Sequence, residues 1–193
     1  MELDRAPIDA KLLRRIGEGD LSAVAALYDV YAPTMLGIAM RILRERAEAE
    51  DVVHDAFVVV GDRAHQYEAK RGSVAAWLVT LVRNLSIDRA RRRDRRGAIA
   101  REVFARDPTV SSVAISADPE LAALDAVRRE RLRRALATLP DVQRVTLEVA
   151  FFEGLSYPEI AEREGVPLGT IKSRAARALA ALRAALESRE EDH

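Results

Sequence analysis

Apolar residues recur along this chain at the three- and four-residue spacing of helices, in two blocks separated by a stretch that has no such period. In the first block Asp20 is placed to cap a helix that runs to Tyr31. Pro33 then restarts the chain, and the apolar period continues over residues 35–43. A further helix is predicted over residues 47–63. The polar run GDRAHQYEAKRGS reads as a loop that closes at a Ser73 cap. Beyond it, VAAWLVTLVRNLSIDRARRRDRR reads as one long helix whose core stripe is Val74, Trp77, Leu78, Leu81 and Leu85. Asn84, Asp88 and Arg91 follow at i, i+4 and i+7 along its edge. Between about residue 97 and residue 119 the period is lost, and Ser, Asp and two Asp-Pro steps give the composition of a linker.

The second block begins near Glu120 and holds the most informative segment. Ser156 and Glu159 have the spacing of a capping box, and Pro158 suits a first helical turn, so a short helix is predicted from Tyr157. Gly165 can take the left-handed conformation that closes it, and Pro167 cannot continue it. After a turn of about three or four residues, Ile171, Ala175, Ala178, Leu179 and Leu182 form a second apolar stripe. Ser173 and Arg177 point the other way, with Lys172 and Arg174 flanking them. Two helices across a tight turn, the second basic on its outer face, are the layout of a helix-turn-helix that sets one helix in a DNA major groove.

Composition sharpens this picture. The chain has 193 residues, 49% of them apolar but only 5% aromatic, which suits small Ala-, Leu- and Val-rich helical domains; an all-α fold of two such domains is expected. Formal net charge is +0, which by itself speaks against a nucleic-acid partner, yet the charge lies in blocks. Residues 89–96 hold six Arg and one Asp, and residues 45–55 hold five acids and one Arg. A chain so divided can meet DNA with one patch and a protein with the other. There is no cysteine, and no run is read as reaching the eighteen or more apolar residues of a membrane span. The opening MELDRAPIDAKLLRR lacks a signal-peptide core, so a cytoplasmic protein without membrane contact of its own is expected.

Taken in order, LYDVYAPTMLGIAMRIL, AEAEDVVHDAFVVV, GSVAAWLVTLVRNLSIDRARRR and LPDVQRVTLEVAFFEGLSYPEIAEREGVPLGTIKSR resemble the extracytoplasmic-function sigma factors, small bacterial transcription initiation factors of the sigma-70 family. The resemblance implies an N-terminal extension over residues 1–20, sigma domain 2 over 21–96, a flexible linker over 97–119, sigma domain 4 over 120–187 and a tail over 188–193. It implies docking on core RNA polymerase by an acidic helix carrying Glu48, Asp51, His54 and Asp55. The carboxylates of Asp51 and Asp55, four apart, can be presented together to basic partner residues. Many relatives carry Gln where this chain has His54, a change that would make docking sensitive to pH near neutrality. For the −10 promoter element it implies a flipped non-template base, held by Asn84 and by a loop containing Gln66, Tyr67, Lys70 and Arg71. Asp88, Arg89, Arg91 and Arg92 would border the melted strand. Trp77 is read instead as core, because it shares the stripe of Leu81 and Leu85. For the −35 element it implies duplex reading by Lys172, Ser173, Arg174 and Arg177, with Thr170 helping to hold a phosphate.

Such a protein would direct core polymerase to −35/−10 promoters of a stress or envelope-response regulon, assist melting, and be restrained by an anti-sigma factor. His54, His65 and His193 have no metal-ligand spacing and there is no phosphate-binding glycine loop, so no catalytic residue, metal or cofactor is expected. Two other readings stay open at this level. One is a stand-alone helix-turn-helix regulator that dimerises on palindromic sites, which leaves the first block unexplained. The other is a sigma mimic that titrates an anti-sigma factor.

Overall fold

The structure is a computed structural model and describes residues 5–98 and 130–187. The chain divides into two compact units, Met1–Ala117 and Asp118–His193. Among the described residues every regular element is helical. The first unit contains α1 (Ala6–Gly17), α2 (Leu21–Leu43), α3 (Arg46–Arg63), short 3₁₀ turns at Ala64–Gln66 and Ala69–Arg71, and α4 (Val74–Ala98). The second contains α5, helical over 130–137, then α6 (Asp141–Glu148), a π-type turn (Val149–Glu153), α7 (Tyr157–Glu164) and α8 (Leu168–Glu187). Of the residues read as a linker, 97 and 98 end α4; the others, the start of the second block and the 188–193 tail lie outside the described residues.

The first unit is organised around α2. Asp20 caps it, its Oδ1 accepting from the amides of Ser22 (2.9 Å) and Ala23 (3.4 Å). Ala23, Leu27, Met35, Ala39 and Leu43 are buried along one face, closed over by Val52, Val53, Ala56 and Val60 of α3 and by Val74, Leu78 and Val82 of α4. Pro33 does not restart the chain: α2 runs uninterrupted through it. Proline removes one backbone donor and crowds the carbonyl of Asp29. Asp29 faces solvent, so water can satisfy that carbonyl while the buried residues on either side hold the helix in line. The apolar character of α2 also corrects the expectation about membrane spans. By length and composition alone α2 is apolar enough to cross a membrane, with a mean hydropathy of 1.4 over the qualifying window. Its buried face is accounted for as core, against α1, α3 and α4.

The residues read as an extension contribute α1, and Leu13 and Ile16 of α1 belong to the same core. Asp9 is 3% exposed there; the Tyr31 hydroxyl of α2 donates to one of its carboxylate oxygens and Arg5 Nε to the other at 3.3 Å. A buried carboxylate needs such donors, since burying it unpaired would be costly. Arg44, at φ 61°, turns the chain from α2 into α3, and Glu45 caps α3 by accepting from the amides of Ala47 (3.1 Å) and Glu48 (2.8 Å). On α4 the fully buried line is Val74, Leu78 and Val82, continued by Ser86 and Ile87, whereas Trp77, Leu81 and Leu85 are only half-buried against it. Ser86 could not be read as core from its polarity; its hydroxyl is satisfied by donating to the Val82 carbonyl at 2.7 Å.

The second unit has a smaller core of Val149, Ile160, Ala161 and Ile171, with Leu155, Tyr157 and Val166 packed on it. Thr146 is buried beside them and donates to the Val142 carbonyl at 2.7 Å.

The Asp20 cap generates a pH prediction. The Ser22 hydroxyl, and after it the Arg15 guanidinium, lower the Asp20 carboxyl from its usual 3.8 to about 2. Because the folded-state value is the lower one, the stabilisation is complete above the usual value and is lost as pH falls toward about 2. The urea midpoint of the native chain should therefore exceed that of Asp20→Asn at about pH 5, and the gap should close on the way to about pH 2. A gap that does not vary with pH would contradict this.

Candidate functional site

In the second unit the local signals assemble as their chemistry demands. Glu159 Oε2 accepts from the Ser156 amide (2.7 Å) and hydroxyl (2.6 Å), and the Ser156 hydroxyl lies 3.5 Å from the Glu159 amide, closing a capping box at the start of α7. Gly165, at φ 66°, ends α7, with the Val166 amide donating back to the Ala161 carbonyl at 3.1 Å. Three residues then separate α7 from α8. Ile171, Ala175 and Ala178 bury the inner stripe of α8 and Leu182 is half-buried. Leu179 departs from the predicted stripe. One residue beyond Ala178, it is turned about 100° around the helix and stays 54% exposed.

On the outer side Lys172 and Arg177 are exposed, while Thr170 and Ser173 are half-buried. Arg174 is turned back toward α7, its Nη1 donating to Glu164 Oε2 at 2.7 Å. The free cations of this face are thus set closer to Lys172 and Arg177 than the sequence pattern implied.

In the first unit, Asp51, His54 and Asp55 lie exposed along α3. His54 stacks on Tyr28 of α2, with ring centroids 6.1 Å apart and planes 16° apart, and Tyr28 in turn packs on Phe57. The acidic row meets the basic end of α4. Arg89 Nη2 donates to Asp51 Oδ2 at 2.8 Å and its Nη1 stands 4.0 Å from Asp55 Oδ2, while Arg93 Nη1 lies 2.9 Å from Glu48 Oε2. Arg93 also donates to the Leu43 carbonyl at 3.0 Å, so it pins the end of α2 to the start of α3. Of the predicted strand-bordering set, Asp88, Arg91 and Arg92 are exposed, and Arg89 is the one engaged with the acidic row.

The loop before α4 is ordered by its own side chains. The Tyr67 hydroxyl donates to the Gly72 carbonyl at 2.9 Å, and the Tyr67 ring lies 6.0 Å from that of Trp77 at 48°. Glu68 draws in Lys70 (3.0 Å) and Arg71 (3.2 Å), and Gln66 is exposed beside His65. Gly72, at φ 137°, takes a conformation closed to most side chains. Asn84 is exposed on α4, its Oδ1 accepting from Arg83 at 3.0 Å.

Two family profiles fit these units: Sigma-70 region 2 over residues 27–96, and Sigma-70, region 4 over residues 129–182. The chain is 36% identical over 170 residues to the ECF RNA polymerase sigma factor SigK of Mycobacterium sp. (strain KMS), covering 84% of this chain and 82% of that one. It belongs to the ECF RNA polymerase sigma factors. SigK of Mycolicibacterium vanbaalenii is also 36% identical, over 193 residues, covering 96% of this chain and 92% of the relative. Among solved structures, Rhodobacter sphaeroides SigE in complex with the anti-sigma ChrR is 34% identical, with a TM-score of 0.45 and coverage of 91% and 96% of the two chains.

As a sigma factor, the protein presents region 2 in the first unit and region 4 in the second. Helix α1 lies before the region 2 match yet is built into its core. Four residues beside the predicted sites were missed from sequence. Tyr28 carries His54, and Glu68 organises Lys70 and Arg71. Arg93 braces Glu48, and Arg83 holds Asn84. Burial, and next the charge of Arg91, lowers the Arg83 guanidinium below its usual value, although it remains charged. Only the Arg83–Asn84 adjacency was visible in sequence; the other pairings join separate elements or depend on the loop path. Truncating the region 4 cap, Ser156→Ala, should lower the stability of the second unit by about 1 kcal/mol. Hydrogen exchange at the α7 amides would read this, and unchanged protection would contradict it.

Proposed function

We propose that this sigma factor binds core RNA polymerase through the exposed face of α3 and directs it to promoters read at two points. The observation that supports this best is that one chain carries both a region 2 with a carboxylate row and a region 4 with exposed cations on the second helix of a helix-turn-helix. Asp51, His54 and Asp55 are the docking residues, with Glu48 at the edge of the row. Docking of this kind takes its register from complementary charge.

At the −10 element Tyr67, seated against the core residue Trp77, and Asn84 supply what an extruded base needs: a ring surface, and an amide with both donor and acceptor. Gln66, Lys70 and Arg71 rim that loop. Asp88, Arg89, Arg91 and Arg92 follow the freed strand along α4, where the cations contact phosphates. At the −35 element Arg177 and Lys172 face the duplex, Ser173 and Thr170 position the backbone, and Arg174 acts from the turn it shares with Glu164. Binding energy alone opens the strands, and tethering to polymerase offsets the modest affinity of an isolated region 4. The protein works in the cytoplasm on a stress or envelope-response regulon, and an anti-sigma factor holds it inactive. Promoter reading by a free, dimeric regulator leaves the region 2 match without a role.

In vitro transcription with core polymerase on a promoter library tests the reading, and the absence of any start-site selection would overturn it. Arg177→Ala should lower discrimination at −35 by about 1–3 kcal/mol while core binding is retained. Asp51→Lys should show the reverse, losing core binding while the isolated chain keeps its −35 preference.

A further inference from the structure

The carboxylates that make the best docking pair on α3 already hold a cation. Asp51 and Asp55 are four residues apart on one helical face, and the Arg89 guanidinium straddles them, 2.8 Å from one and 4.0 Å from the other. It occupies the position that a partner's basic side chain would take. It does so without closing the surface, since the side chains of Asp51 and Asp55 remain 61% and 66% exposed. Arg89 itself is 35% exposed and projects from α4 beside its i+3 neighbour Arg92, one of the residues read as following the promoter strand.

Arg93, one turn further on, behaves differently. It is bound to both the Leu43 carbonyl and Glu48, and its Nε is buried with no hydrogen-bond partner among the described residues, so it is a fixed brace of the α2–α3 turn. Of Arg89 and Arg93, which both reach α3, Arg89 is the one that can exchange.

We propose that Arg89 couples polymerase docking to promoter-strand capture. In the free chain it stands in for the polymerase's cation on Asp51 and Asp55. When a basic segment of polymerase takes those carboxylates, Arg89 is released toward the phosphates of the non-template strand. Each surface is thereby weakened in the free protein and strengthened once the other is engaged, a reciprocal coupling between two binding sites. The exchange is easy because an exposed ion pair contributes little net stability. The argument rests on the docking and strand-capture reading above.

The test uses the full chain, titrated separately with core polymerase and with a single-stranded −10 oligonucleotide. Arg89→Gln should tighten binding to core polymerase by about two- to fivefold at low salt, the scale of an exposed ion pair, and weaken oligonucleotide binding by the holoenzyme. The tightening should fade as salt screens the pair. Asp51→Asn should raise the affinity of the free chain for the oligonucleotide, and Arg89→Gln added to it should abolish that gain. A purely structural Arg89 would lower both affinities together, with a lower melting temperature; that result overturns the coupling. So does an Arg89→Gln variant with unchanged core affinity. If the native chain binds neither core polymerase nor the oligonucleotide, it is the docking and strand-capture reading itself that fails.

Discussion

Alanine, valine and leucine side chains along one face of α2 have nowhere to go but against α3 and α4, and the first unit depends on that burial. Few aromatics are available to fill space, so the helices must come close together over small residues such as Ala23, Ala39, Ala49 and Ala56, all fully buried. Close packing of this kind leaves little room for adjustment. It fixes which face of α3 and of α4 is turned inward and therefore which side chains are left for partners. The exposed carboxylates of α3 and the exposed polar row of α4 are what remains after α2 has been covered.

The same packing divides the arginine block. As a sequence, residues 89–96 are a run of cations; as a helix, residues 89–93 point in different directions. Arg89 and Arg93, four apart, reach the acidic residues of α3, whereas Arg91 and Arg92 lie on the exposed side of the helix. A zero net charge thus hides an internal neutralisation between the two blocks that were read as separate patches. The second unit shows this on a smaller scale, where Glu164 draws Arg174 out of the row with Lys172 and Arg177.

Elements whose signals lie within a turn or two were legible. The Ser156–Glu159 box, the Gly165 stop, the Asp20 cap and the limits of α3 all follow from residues three or four apart, because they concern hydrogen bonds that close within a single helical turn. Pro33 misled because its local cost is real, yet the buried residues of the surrounding helix keep the segment helical. Ser86 was left out of the predicted stripe, yet a hydroxyl can be buried when a carbonyl one turn back accepts its proton. Leu179 misled because periodicity marks an apolar side chain but does not supply a neighbour to cover it.

Sequence by itself determined the Asp20 and Ser156 caps, the extents of α3 and α7, the helix-turn-helix and the family, since each rests on short-range spacing or on the order of whole motifs. Tertiary structure alone decided that α1 is part of the region 2 core through Asp9 and Tyr31, that Tyr28 supports His54, and that Arg89 rests on Asp51 and Asp55. Those pairs lie between 22 and 38 residues apart. At such separations the partner of a charge or a ring is set by how helices pack, a property of the assembled core that no local pattern encodes.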